Sequence, residues 1–189
     1  MVTPNPAGQE DLLRRAYQGL DGVVDRLRYV EADGTGTGRG DPIEAGAIGR
    51  VLGRAGARAG DGGQVGTPLA IGSVKTNIGH AEAAAGLAGL VKVLLAIEHR
   101  VVPPSLHSAE LNPAIDFTGL NLQLVREPLP LPVDEAVCLG VNSFGWGGTN
   151  AHVVVADPPA GTNRRAEPAT AATTSRCVPP WSRLTPNRP

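Results

Sequence analysis

The feature that most restricts this chain is one stretch, Ile71 to Gly86, which reads IGSVKTNIGHAEAAAG and continues apolar to about Ile97. It opens inside a short run of buried-strand type, Leu69 to Val74. Lys75, Thr76, Asn77 and His80 then gather polar and ionisable groups in one place. The Ala/Gly-rich segment that follows is apolar on most faces, so a central helix is expected rather than a peripheral one. The segment from Ala81 to Ile97 carries Glu82 and Lys92, which fits a buried helix better than a membrane span.

His80 is expected where the loop passes into that helix. The positive end of a helix dipole beside the ring disfavours imidazolium. A neutral ring can donate a hydrogen bond to a developing oxyanion. Lys75 adds a cation five residues earlier. The plainer reading makes His80 a structural histidine and Lys75 a solvated charge at a strand end.

The rest of the chain alternates helix and strand, which argues an α/β fold. Gln9 to Gln18 places Leu12, Leu13, Ala16 and Tyr17 at helical spacing, with Arg14 and Arg15 opposite. Leu27 to Ala32 reads as a short strand. Gly34, Gly36, Gly38 and Gly40 then make a loop. Asp41 is the expected N-cap of a helix from about Pro42 to Leu52, with Glu44 completing a capping box. Arg54 to Gly66 is Gly-rich and reads as an exposed connection. Pro103, Pro104 and Pro113 punctuate a later loop. Leu120 to Val125, Ala136 to Val141 and Ala151 to Ala156 are strand candidates, with a second glycine loop (Gly145, Gly147 and Gly148) around Trp146.

Several functions are disfavoured. Seventeen basic and 18 acidic side chains leave a net charge of -1, which gives no support for binding nucleic acid or an anionic membrane. The glycine loop matches neither G-x-G-x-x-G nor G-x-x-x-x-G-K-[ST], so a phosphate cradle is not supported. Thr35 and Thr37 there offer hydroxyls to an extended polar ligand instead. Cys138 and Cys177 form no disulfide framework, and no metal site is expected. Cys138 reads as a core residue, and His99, His107 and His152 as structural or surface. The N-terminus, with Pro4, Pro6, Glu10 and Asp11, has no apolar h-region, so no signal peptide and a cytoplasmic setting are expected. Residues 1–156 are expected to form the ordered domain. Residues 157–189, with seven prolines after Asp157, are expected to be a linker or disordered tail.

Three segments taken together resemble the β-ketoacyl synthase family, especially the ketosynthases of type I modular polyketide synthases. They are Val30-Glu31-Ala32-Asp33-Gly34-Thr35-Gly36-Thr37 with Gly40-Asp41-Pro42-Ile43-Glu44-Ala45, then Gly72 to His80, then Gly140 to His152. The resemblance covers about residues 3 to 156 and only the C-terminal part of a ketosynthase. It implies a thiolase-like α/β fold of two related halves, of which this chain holds the second. It also implies decarboxylative Claisen condensation: a cysteine carries the acyl chain, and two histidines promote decarboxylation of an extender on an acyl carrier protein.

Carried over by position, His80 is the histidine that stabilises the enolate oxygen, and Lys75 supports it. Thr35 and Thr37 match threonines that hold the phosphopantetheine arm, here a substrate arm with no bound cofactor. Trp146, between Gly145 and Gly147, matches a phenylalanine gatekeeper whose backbone N–H binds the thioester oxyanion. Two departures stand out. The nucleophilic cysteine belongs to a family segment N-terminal to Met1, and neither cysteine here has its context. The second family histidine is Asp33, an acceptor when ionised, which would repel the extender's carboxylate. The partners expected are a carrier protein and either the N-terminal ketosynthase half or another ketosynthase protomer. The isolated chain is expected to be inactive, and the alternative is a non-enzymatic remnant, scaffold or acyl-holding partner. Half of such a fold leaves apolar surface uncovered, so self-association is expected.

Overall fold

A computed structural model of the protein describes residues 4–55 and 66–158. The first helix, α1 (Pro6–Tyr17), starts where Asn5 Oδ1 accepts the Gly8 N–H at 3.2 Å and proline occupies the first turn. Gln9, Leu13 and Tyr17, four residues apart, form its buried face. A single turn, α2 (Val23–Arg26), leads into β1 (Leu27–Glu31). The next elements are α3 (Gly40–Ile48), which runs on as a π-helical turn over Gly49–Gly53, and β2 (Leu69–Gly72). A short helix α4 (Lys75–Ile78) and a 3-10 turn (Glu82–Ala84) come before α5 (Ala85–His99). The chain ends its described part with β3 (Val101–Val102), β4 (Leu122–Leu124), β5 (Leu129–Pro130), β6 (Cys138–Phe144) and β7 (Asn150–Ala156).

Five strands form one sheet in the order β4-β2-β1-β6-β7. All neighbours are parallel except β6 and β7, where Val141 faces Val153 across an antiparallel pair. β3 and β5 form a separate two-stranded pair. Central strands buried on both faces need near-continuous apolar runs, and β2 is buried at all four positions. Period-2 alternation then divides the core. Val30, Leu69 and Ile71 face Leu13, Ile48 and Leu52 on the side of α1 and α3. Tyr29, Ala70, Leu139 and Val141 face Val93 and Ala96 of α5 on the other side.

The structure corrects several expectations. Asp41 is not the N-cap of α3, because Arg39 holds that position and Thr37 Oγ1 accepts the Gly40 N–H at 3.0 Å. Asp41 turns back over the loop and accepts the Gly36 N–H at 3.1 Å. Glu44 does not close a capping box, since its carboxyl points inward to the loop after β1. The helix after His80 is not buried on most faces. Leu87, Val91, Leu94 and Leu95 are each about half exposed or more. His80 does not stand at its start either, because the 3-10 turn intervenes. Cys138 is fully buried, as expected of a core residue, and burial pushes its thiol pKa up. Most of the Gly-rich connection, Cys177 and nearly all of the expected tail lie outside the described residues.

Candidate active site

Three loops leave the sheet at the carboxyl ends of adjacent parallel strands: residues 32–39 after β1, residues 73–84 after β2, and residues 145–149 after β6. That edge is where open α/β sheets bind ligands. Each loop carries residues singled out in the sequence.

Asp33 and Lys75 meet there. Lys75 Nζ lies 3.2 Å from Asp33 Oδ1 and donates to the Asp33 carbonyl at 2.5 Å. The Phe144 N–H, at the end of β6, donates to the same Oδ1 at 3.3 Å, so the loops after β1 and β2 and the last residue of β6 meet at one carboxylate. The two side chains are only 10% and 12% exposed, so Lys75 is a partnered cation rather than a solvated one. Gly34 adopts φ +52°, and a Cβ there would lie 2.7 Å from Ser73 Cβ. Only glycine fits that turn and that approach.

The loop is held from behind by Glu44, which the local sequence pattern places in a cap. Glu44 Oε1 accepts the Asp33 N–H at 2.7 Å and Oε2 accepts the Gly34 N–H at 2.9 Å. Asn142 Nδ2 donates to Oε1 at 2.8 Å. Asn142 Oδ1 lies 2.6 Å from His152 Nδ1, and His152 Nε2 lies 3.1 Å from the Tyr17 hydroxyl. A single tautomer serves both contacts: Nδ1–H donates to Asn142 while Nε2 accepts from Tyr17. Burial raises the Glu44 pKa to about 7 against the pull of its three donors. Burial lowers His152 to about 4, which keeps that ring neutral. Asp41 is also raised by burial, which outweighs the Thr37 and Gly36 N–H groups it accepts. Beside Glu44 a cavity of about 210 Å³ opens, lined by Ala45, Ile48, Ile71 and Leu124.

The remaining expected residues lie on the same three segments, and no hydrogen bond from their side chains to Asp33 or Lys75 is found among the described residues. The His80 ring is exposed, and its Nδ1 accepts the Glu82 N–H at 2.9 Å. That contact leaves the proton of a neutral ring on Nε2, which faces away from the turn. Thr35 is exposed, and Thr37 holds Gly40. Gly145 N–H donates to the Thr149 carbonyl at 2.8 Å and closes the last loop, which carries Trp146 at 94% exposure. Within the segments that carry the resemblance, the sequence alone assigns Glu44, Asn142 and His152 no role in the site. Their roles appear only once strands distant in sequence are laid side by side.

Residues 1–109 match the family model described as beta-ketoacyl synthase, C-terminal domain, and residues 112–185 match a ketoacyl-synthetase C-terminal extension. The chain belongs to the β-ketoacyl synthase family. It is 45% identical over 157 residues to a highly reducing polyketide synthase, pspA, of Penicillium soppii, covering 82% of this chain and 6% of that one. It is 49% identical over 156 residues to a phenolphthiocerol/phthiocerol polyketide synthase of Mycobacterium tuberculosis, covering 82% of this chain and 8% of that one. Among solved structures, ketosynthase twelve of the bacillaene polyketide synthase from Bacillus amyloliquefaciens superposes with a TM-score of 0.74 at 36% identity, over 83% of this chain and 27% of that one. An oxazolomycin ketosynthase domain of Streptomyces albus gives 0.70 at 39%, over 83% and 26%. The ketosynthase fold here is therefore thiolase-like, and the chain spans about a quarter of the solved ketosynthases it matches. No helix among the described residues is long and apolar enough to cross a membrane.

Proposed function

We propose that this ketosynthase segment supplies the C-terminal share of a decarboxylative condensing site and does not condense acyl units alone. The observation that carries the reading is the meeting of three family segments at Asp33, with Lys75 and the Phe144 N–H on one carboxylate. In the complete site a cysteine of the N-terminal ketosynthase half, or of another protomer, holds an acyl thioester. The phosphopantetheine arm of an acyl carrier protein brings the malonyl-type extender past Thr35 and Thr37. The extender's carboxylate C–C bond breaks, carbon dioxide leaves, and the electron pair stays as an enolate. The enolate carbon attacks the thioester carbon and the cysteine thiolate departs.

His80 suits the enolate step. With Nδ1 occupied by the Glu82 N–H, Nε2–H is the group left to donate to the enolate oxygen. The Trp146 backbone N–H serves the thioester oxyanion, and its ring, with Gly145 and Gly147, shapes the acyl entrance. The outward side of α5 (Leu87, Val91, Leu94 and Leu95) is the surface that the other half covers. The experiment is co-purification with a polypeptide carrying the N-terminal half, followed by a condensation assay with extender on a carrier protein. Formation of a complex with product supports the reading, while no complex and no product overturns it.

One observation favours a second, non-elongating reading. The Asp33 carboxylate takes up Lys75 and presents negative charge where the extender's carboxylate must pass. On that reading the assembled protein holds or transfers acyl chains without extending them, or the chain is a non-enzymatic remnant. Condensation then requires Asp33→His as well as the missing half. Product formed by the complex with Asp33 unchanged decides against this second reading.

A further inference from the structure

One buried charged cluster has no part in the chemistry above. Lys92 lies in the middle of α5, 7% exposed, on the side that faces the sheet. Its Nζ is 2.7 Å from Glu31 Oε2 and donates to the Tyr29 hydroxyl at 2.8 Å. The Tyr29 hydroxyl in turn donates to Glu31 Oε2 at 2.6 Å. Burial, together with the Glu31 charge, raises the Tyr29 pKa well above its ordinary value, so the hydroxyl keeps its proton. The other oxygen, Glu31 Oε1, accepts the Val74 N–H.

The connectivity gives the cluster its meaning. Glu31 is the last residue of β1, two before Asp33. Val74 is the N-cap of α4, and Lys75 is the first residue of that helix. Glu31 therefore joins the strand that delivers Asp33, the turn that delivers Lys75, and α5. Gly89, one turn before Lys92, lets the helix come this close: a Cβ there would stand 3.1 Å from Glu31 Cγ. A buried ion pair is a poor source of stability, because apolar residues of similar volume often do as well. What an apolar pair cannot do is accept the Val74 N–H.

We infer that Glu31, anchored by Lys92 and Tyr29, is a positioning residue that sets where Lys75 stands relative to Asp33. The inference rests on reading Lys75 and Asp33 as site residues, but its test uses neither turnover nor a partner. The chain has only two lysines, Lys75 and Lys92, so any variant with Lys92→Met leaves Lys75 as the sole side-chain amine.

Two double variants of the full chain separate positioning from packing. Glu31→Gln with Lys92→Met removes both charges and keeps a carbonyl to accept the Val74 N–H. Glu31→Leu with Lys92→Met removes the acceptor too. Acylation of Lys75 by acetic anhydride, mapped by mass spectrometry, is the readout. The leucine variant is expected to label Lys75 about tenfold faster than the glutamine variant, with faster amide exchange over residues 74–78, while their circular dichroism stays alike. Equal labelling in two folded variants overturns the proposal. If the leucine variant does not fold, amide exchange of the unmodified chain decides. Val74 is expected among the protected amides, and a Val74 amide that exchanges like an exposed loop overturns the proposal.

Discussion

The two faces of the sheet are built differently. On one, α1 and α3 cover β1 and β2 with Leu13, Ile48 and Leu52, each at most 1% exposed. On the other, α5 covers the sheet with Val93 and Ala96 and turns Leu87, Val91, Leu94 and Leu95 outward. The first face is finished within the chain. The second ends on a helix with no charged outward residue until Glu98. Its charge lies on the inner side instead, where Lys92 meets Glu31. A helix apolar outside and ion-paired inside is the inverse of a surface helix, and it fits a layer meant to lie between two others.

The largest test of this contrast is in the finished core. Ile48→Ala is expected to destabilise the chain by about 2–5 kcal/mol, because the site is enclosed and a cavity remains. Urea unfolding of the variant against the parent measures it. A loss no larger than that of Leu94→Ala would erase the contrast.

Much of this architecture is legible in the residues themselves. Apolar runs mark β1, β2, β6 and β7, and the spacing of Leu13 and Tyr17 marks α1. The two-residue strands β3 and β5 and the single turns α2 and α4 are too short for any periodicity to show. The local pattern around Asp41 and Glu44 matches a capping box, yet tertiary contacts override it. A buried loop with free N–H groups needs an acceptor more than the helix start does. The apolar character of α5 is plain in sequence, but which of its sides stays bare depends on how the helix lies on the sheet. Asp33, Lys75 and the loop around Phe144 are separately visible in the sequence. Their meeting is a property of strand order, since β2 and β6 flank β1.

The pH response is the next largest effect, and it belongs to the finished face. Glu44 has a folded pKa of about 7, above its ordinary 4.5. Its contribution to stability is present below pH 4.5 and is lost as pH rises through 7. His152 has a folded value of about 4, below its ordinary 6.5. Its contribution is present above pH 6.5 and is lost as pH falls through 4. The two slopes oppose each other between roughly pH 4.5 and 6.5. Glu44→Gln leaves the His152 slope alone, so the variant should lose up to about 3 kcal/mol on acidification from pH 7 to pH 4, more than the parent loses. Urea midpoints measured across that range check it. A variant whose pH profile runs parallel to the parent's would show that Glu44 is not buried as the loop's acceptor.

Helix starts sharpen the same comparison by a smaller amount. Asn5 caps α1 through the Gly8 N–H, whereas Ala84 gives α5 no side-chain cap. Asn5→Ala is expected to cost about 1 kcal/mol. Ala84→Ser, which offers α5 a capping oxygen, is expected to gain no more than that. Thermal unfolding of both variants gives the two values, and a neutral Asn5→Ala would mean that packing alone holds α1.

The smallest expected change in stability is the most informative about the open face. Leu87→Glu with Leu94→Glu adds two charges to side chains already 66% and 49% exposed, so chain stability should move by no more than about 0.5 kcal/mol per site. Association should respond in the opposite way. The parent, with an apolar stripe along three turns of α5, is expected to self-associate, and the double variant to sediment as a smaller species at equal concentration. Like charges on a stripe that meets its own copy repel, while the core beneath is untouched. A parent that melts cooperatively as a monomer would show that the stripe is harmless in isolation. A double variant that unfolds would show that Leu87 and Leu94 are covered by this chain itself, and α5 would then be a finished surface like α1.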